Sequence, residues 1–186
     1  GYGSIGREVA RLAQAFGMRV LALSRSGKRA DGGYLQEGIG DPEGKIPERI
    51  YRTEEMAEIL PQCDYVVVAL PLTPATTHAI GEAELRAMKP TAYLVNIARG
   101  AIVDEAALAR ALRERWIGGA GLDVFEEEPL PAESPLWDME DALISPHVAG
   151  FTPRYDERAA ALFAGNLARY LEGEPLLNAL DKKQGY

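Results

Sequence analysis

Two parts of the 186-residue sequence carry residue types suited to chemistry. The first is GYGSIG at its start, where Gly1, Gly3 and Gly6 fit G-x-G-x-x-G at the mouth of a helix. In that pattern the first glycine permits a tight turn and the second lets backbone approach a pyrophosphate. The third lets helix pack close to strand. The helix N-terminus, with Ser4 and Ile5 in its first turn, adds partial positive charge and N–H groups for the anion. The second part is the histidine pair, since the chain has only two, His78 and His147. An imidazole titrates near neutrality and can both give and take a proton. A histidine after a short strand is usually a satisfied surface or core residue, so neither ring assigns a function by itself.

The glycine fingerprint expects an acidic residue about 20 positions on, where a carboxylate holds the ribose hydroxyls of NAD. Here the second strand ends ALSRSGKR, with Ser24 in that place and Arg25, Lys28 and Arg29 following. Losing the carboxylate removes repulsion of a 2′-phosphate, and an arginine can pair with that phosphate through charge-assisted hydrogen bonds. The cofactor expected is therefore NADP or NAD, with Ser24–Arg25 leaning toward NADP. The bland alternative is a solvated basic loop.

The elements that must position these residues follow from periodicity. Ile5, Val9, Leu12, Ala13 and Phe16 recur at helical spacing over Ser4 to Phe16, and Gly17 ends the helix. Apolar runs at MRVLALS, Ile50–Tyr51, DYVVVALP, AYLVNI, GAGLDV and ALIS read as strands. Helices are expected over Glu54–Leu60, Glu82–Met88 and Glu105–Arg113, then a long one over Asp156–Glu172. That last helix should turn Leu162, Phe163, Leu167, Tyr170 and Leu171 inward. Residues 26–47 read as loop with room for one short helix. Strands alternating with helices of this length mean parallel βαβ units and an α/β, doubly wound, Rossmann-like sheet. Residues 1–174 form one domain, and residues 175–186 read as a tail.

Composition narrows the partners. Acidic residues outnumber basic ones 28 to 20, for a net charge of −8, which argues against nucleic acid. No apolar run approaches the ~18 residues of a membrane span. With a single cysteine, Cys63, no intrachain disulfide can form, and a reducing, cytoplasmic setting is expected. No metal site is expected.

The second half carries more specific motifs: ALPLTPATTHAI, VNIARGAIVDEAAL, GLDVFEEEPLP, SPLW and SPHVAG, in that order. Together with GYGSIG, the chain resembles the D-isomer-specific 2-hydroxyacid dehydrogenases over essentially its whole length. The resemblance implies an oxidoreductase that moves a hydride between a nicotinamide dinucleotide and a small 2-keto or D-2-hydroxy acid. It implies that Arg99 binds the carboxylate and carbonyl oxygens, and that Glu128, just before Pro129, pairs with His147 as general acid/base. Glu126 and Glu127 are close enough in sequence to be confused with Glu128. The cofactor shell implied comprises Leu70, Pro71 and Thr76 after one strand, and Ile97 and Ala98 beside the nicotinamide. Asp123 would orient the carboxamide, and Arg99, His147 and Gly150, which closes the histidine motif, complete the cofactor shell. His78 is left structural or exposed, while Trp116, Trp137 and Phe125 read as packing residues.

The family resembles two lobes around a cleft and assembles as a homodimer through the cofactor lobe. Its substrate lobe and the first, central strand of the cofactor lobe have no counterpart in this sequence. Two inner sheet edges should then face a gap about 9–10 Å wide. The chain is expected to be a piece of a longer protein, or to have that slot filled by another segment, and to turn over poorly alone. The tail should cross back to the other lobe. The rival reading is a non-catalytic dinucleotide sensor. A formate dehydrogenase is disfavoured by Ser145–Pro146 before His147, and a methyltransferase would share only the glycines.

Overall fold

In the computed structural model, which describes residues 1–29 and 38–182, the apolar runs pair side by side as strands. Helix α1 (Ser4–Ala15) leads to β1 (Leu21–Leu23), which pairs in parallel with β2 (Arg49–Tyr51). A second parallel sheet runs β3 (Tyr65–Val68), β4 (Tyr93–Asn96), β5 (Gly119–Leu122) and β6 (Ala142–Ile144) in that spatial order. Its register pairs Leu94 with Val66 and Ala120. Between these strands lie α2 (Met56–Ile59), α3 (Glu82–Ala87) and α4 (Glu105–Arg113), and α5 (Tyr155–Glu172) follows β6. The architecture is the expected α/β one of parallel sheets flanked by helices.

Local chemistry explains the boundaries. Asp104 caps α4 by accepting from the Ala107 amide at 2.9 Å, and Leu108, Ala111 and Leu112 then face the core. Gly17 ends α1 at φ +76°, a left-handed value that glycine adopts without a Cβ clash. The expected helix over Glu54–Leu60 is instead one short α-helical turn between two 3₁₀ turns. Pro61 sits at the start of the second turn, where its missing N–H and fixed φ oppose α-helix continuation. The short helix allowed within residues 26–47 does not occur among the described residues, and residues 30–37 lie outside them.

The main core sits on the four-stranded sheet, with Leu85, Leu94, Ile102 and Leu108 at 1% exposure or less. Full burial of such a side chain stabilises by about 1.5–3 kcal/mol. By contrast, the two sheets do not pair with each other. The inner edges of β1 and β3 border a cavity of about 600 Å³ under α1, lined by Val9, Leu12, Leu21, Leu23, Tyr65 and Val67. Gly1 stands at its end, its backbone nitrogen donating to the Leu23 carbonyl at 3.0 Å.

Two expectations about apolar faces are corrected. The stripe on α1 does not enter a closed core: Arg7 and Ala10 are its buried residues, Ile5 and Phe16 are exposed, and Val9, Leu12 and Ala13 border the cavity. In α5 no residue is buried, and Phe163, Tyr170 and Leu171 are at least 70% exposed. The stripe read as an inner face has no covering layer among the described residues. Past Gly173, the chain folds back along α5, with Asn166 and Leu177 exchanging hydrogen bonds at 2.8 and 3.0 Å. Among the described residues no helix is long and apolar enough to cross a membrane.

A buried carboxylate ties the loop before β2 to α1. Asp41 accepts from the Tyr2 hydroxyl at 2.6 Å and from the Lys45 and Ile46 amides at 2.9 Å, while Arg7 donates to its backbone carbonyl. Burial alone would raise its pKa, but these donors and the Arg7 charge outweigh it and hold the carboxyl below the usual range. A depressed folded pKa stabilises above the unfolded value, near 3.9, and is lost as pH falls through the folded one. Asp41→Ala should therefore cost about 3 kcal/mol or more in urea unfolding at pH 7. The deficit should shrink at pH values below the carboxylate range, and an equal deficit at both would refute the account.

Candidate active site

Because all the strands of each sheet are parallel, the loops leaving their carboxyl ends gather on one side, where ligands bind in open α/β sheets. The glycine loop opens α1 there. A Cβ on Gly6 would sit 2.0 Å from the Gly1 carbonyl oxygen, and one on Gly1 would sit 2.6 Å from the Ala69 carbonyl group. Both positions demand glycine for close approach. Gly3 faces open space, and α1 starts with no side-chain cap and no acid in its first turn. A helix end of this kind, bare of side chains above Gly3, fits a pyrophosphate. Ser4 and Ile5 are exposed on its rim.

At the end of β1, Ser24 receives the Gly27 amide on its hydroxyl oxygen at 3.0 Å and closes a turn that leaves Arg25 and Lys28 exposed. Arg29, grouped with them from sequence, is used otherwise. Its guanidinium binds the carbonyls of Gly44 at 2.8 Å and Pro47 at 3.3 Å. After β3, Leu70 is half-buried against the main core. The Thr76 hydroxyl then closes the loop by donating to the Pro71 carbonyl at 2.7 Å.

After β4 the chain must turn sharply, and Asn96 makes it do so. This buried side chain accepts from the Ala98 amide and donates to the Arg99 carbonyl, both at 3.1 Å. Ile97 is half-buried, Ala98 is buried and Arg99 projects outward, with one guanidinium N–H on the Ala98 carbonyl at 2.6 Å. Next to Arg99, a Cβ on Gly100 would lie 1.8 Å from the Phe125 carbonyl carbon and 2.3 Å from the Glu126 nitrogen. Only glycine lets the loop after β5 rest on the arginine turn.

That loop carries Glu128, whose Oε2 lies 2.7 Å from His147 Nδ1 and whose Oε1 accepts from the Phe125 amide at 3.0 Å. Burial pushes the Glu128 pKa up, yet the His147 hydrogen bond, the Phe125 amide and the His147 and Arg99 charges pull it below the ordinary value. A carboxylate can only accept, so Nδ1 carries the hydrogen and Nε2 is the nitrogen left to exchange a proton. Glu126 pairs instead with His78, Oε1 to Nε2 at 2.9 Å. The two acids confusable in sequence thus serve different histidines.

His147 sits at φ +55°, a strained value for a residue with a side chain. Asp123 enforces it. Its Oδ1 accepts from the Ser145 hydroxyl at 2.6 Å and the Val148 amide at 2.8 Å, and Oδ2 accepts from the Ala149 amide at 2.8 Å. Burial raises its pKa, but these three donors and the His147 charge prevail and hold it low. Gly150, beyond the clamp, faces open space. Trp137, read as a packing residue, is 52% exposed with its indole N–H on the Pro131 carbonyl at 2.9 Å, so it is a surface ring. Phe125 is buried as expected, and Trp116 has the guanidinium groups of Arg86 and Arg110 at 3.5 and 4.8 Å from its ring centre.

Sequence reading missed Asn96, Ser145 and Gly100 as positioning residues, although each lies inside a quoted motif. A polar residue ending an apolar strand was the available signal for Asn96. Asp123→Asn would face at least one backbone N–H with another donor. It should cost roughly 1.5–3 kcal/mol and broaden the amide signals of residues 145–149 in NMR spectra. Sharp, wild-type signals there would refute the clamp.

Residues 1–149 match the family model described as "D-isomer specific 2-hydroxyacid dehydrogenase, NAD binding domain". The chain is 46% identical over 174 residues to a glyoxylate reductase of Thermococcus gammatolerans, covering 94% of this chain and 48% of that protein. It is 40% identical over 171 residues to an (S)-sulfolactate dehydrogenase of Chromohalobacter salexigens, covering 92% and 51%. Among solved structures, it resembles the NADPH-dependent glyoxylate/hydroxypyruvate reductase of Sinorhizobium meliloti in complex with NADP and sulfate. There the TM-score is 0.81 and the identity 32%, over 100% of this chain and 55% of that one. The chain thus spans about half the length of the curated relatives it matches. Its matched span, glycine loop and parallel sheets together show that the chain belongs to the D-isomer-specific 2-hydroxyacid dehydrogenase family, as its NAD-binding domain.

Proposed function

We propose that the chain is the cofactor half of an NAD(P)-dependent dehydrogenase that interconverts a short 2-keto acid, such as glyoxylate or hydroxypyruvate, with the corresponding 2-hydroxy acid, of D configuration where that carbon is chiral. The observation that carries this reading is the 2.7 Å contact between His147 Nδ1 and Glu128 Oε2 on a loop seated over the Arg99 turn. The names of the relatives and neighbours support the substrate class.

A bound nicotinamide would supply or accept the hydride, held by Gly1, Gly3 and Gly6 at its pyrophosphate and by the loops at residues 70–76 and 97–98. The rest falls to side chains of this chain. Arg99 offers a planar fork to the carboxylate and carbonyl oxygens of the keto acid and stabilises charge as it develops on the carbonyl oxygen. His147 gives a proton from Nε2 to that oxygen, and takes one back in the reverse direction. Glu128 stays ionised at neutral pH, keeps the ring's Nδ1–H and stabilises the imidazolium. Ser24 and Arg25 favour a 2′-phosphate, so NADP(H) is the proposed preference.

His147 and Glu128 are 47% and 37% exposed at their side chains, which leaves water at the reacting face. An apposed lobe that excludes water would strengthen each of these charges. A homodimer through this half is also proposed, supported by the exposed apolar side of α5.

The test is a panel of 2-keto acids with NADH and NADPH, run on this chain and on a form carrying an N-terminal lobe. The lobed form should reduce glyoxylate or hydroxypyruvate, and this chain should be far slower; comparable rates would refute the need for closure. His147→Gln should lower kcat by about 10²–10⁴-fold. Reduction should also fade as pH drops through the depressed Glu128 pKa. Tight dinucleotide binding without turnover of any 2-keto acid would favour the sensor, and a strong NADH preference would overturn the reading of Ser24–Arg25.

A further inference from the structure

Glu126 plays no part in the chemistry proposed above, yet it is pinned more thoroughly than the acid that does. Its Oε1 accepts from the Glu105 amide at 3.1 Å, and its own amide donates to Glu105 Oε2 at 3.1 Å. This reciprocal pair joins the first residue of α4 to the loop after β5. The same Oε1 lies 2.9 Å from His78 Nε2, at the end of the loop after β3. Because a carboxylate only accepts, His78 must carry its hydrogen on Nε2. His78 is itself fixed at φ +50°, with its amide on the Ala101 carbonyl at 2.8 Å. One side chain therefore draws together three segments, all at the carboxyl end of the sheet.

The connection to Glu128 runs through Phe125. Its amide orients Glu128 Oε1, and its carbonyl belongs to the peptide unit that leads into Glu126 and rests on Gly100. A shift of residue 126 would carry that peptide off Gly100 and move the loop from which Glu128 reaches His147. Each clasp contact is partly exposed, at 37% for Glu126 and 48% for His78, so any one alone is weak. Acting together on one residue, they restrain both its backbone and its side chain.

We propose that Glu126 is a positioning residue, whose three-way clasp to Glu105 and His78 sets the loop geometry that brings Glu128 onto His147. This rests on the Glu128–His147 reading of the site.

With only two histidines in the chain, ¹⁵N NMR of the neutral rings can follow both tautomers, and His147→Gln, which removes its ring signals, assigns them. In the unaltered protein His147 should be the Nδ1–H tautomer and His78 the Nε2–H tautomer. Glu128→Gln controls for the pair itself and should end the Nδ1–H preference of His147. Glu126→Ala should shift His147 measurably toward Nε2–H. Glu126→Gln, which keeps an acceptor oxygen at the same place, should restore much of the Nδ1–H form. If Glu126→Ala fails to fold by circular dichroism, Glu105→Ala, which breaks the other half of the reciprocal pair, should give the same shift. His147 unchanged in a folded Glu126→Ala or Glu105→Ala variant, while Glu128→Gln alters it, would overturn the positioning role alone. No response to Glu128→Gln would overturn the pair, and the clasp's role with it.

Discussion

The candidate site depends first on one buried carboxylate, Asp123, at the end of β5. The segment after β6 has no helix or strand to satisfy its backbone, and it holds His147 at a left-handed φ that costs on the order of 1–3 kcal/mol. Three donors from that segment converge on the Asp123 oxygens. Hydrogen bonds to a charged acceptor are worth about 1.5–3 kcal/mol each, so the clamp outweighs the strain. The imidazole is thereby fixed relative to the sheet, and Glu128 meets a ring that already stands in place.

The same device recurs across the molecule. Asp41 gathers two loop amides and a tyrosine hydroxyl beside α1, Asn96 turns the chain after β4, and Glu126 gathers α4 and His78. Each is an acceptor at the foot of a loop, and each uses backbone N–H groups as its partners. A parallel sheet supplies rigid strand ends on one side, while irregular loops must supply the reacting groups. Side-chain acceptors convert those loops into defined geometry without extending the secondary structure.

Much of this was legible in the sequence, for reasons that differ by feature. The β4, α4 and β5 region could be read almost to the residue, because Leu94, Leu108 and Leu112 follow the periods of strand and helix. Gly1 and Gly6 could be read because close approach leaves a compositional trace. The burial of α5 could not, since an apolar stripe shows that a surface is coverable without showing what covers it. The use of Arg29 was hidden for a related reason: local charge cannot reveal that the carbonyls of Gly44 and Pro47 lie within reach. The Glu128–His147 pair came from the motifs of the resembled family, whereas the pairing of Glu126 with His78 was invisible for want of any sequence rule linking positions 48 residues apart.

The place of the glycine loop between the two sheets has a consequence for any ligand it holds. Ser24 and Arg25 follow a strand of the two-stranded sheet, while Arg99, Glu128 and His147 follow strands of the four-stranded one, and among the described residues no strand pairing joins the two. The glycine loop lies on the seam, with Gly1 touching Leu23 on one side and Ala69 on the other. A dinucleotide reaching from Ser24 to Ala98 would cross that seam, so one ligand would touch loops of both sheets at once.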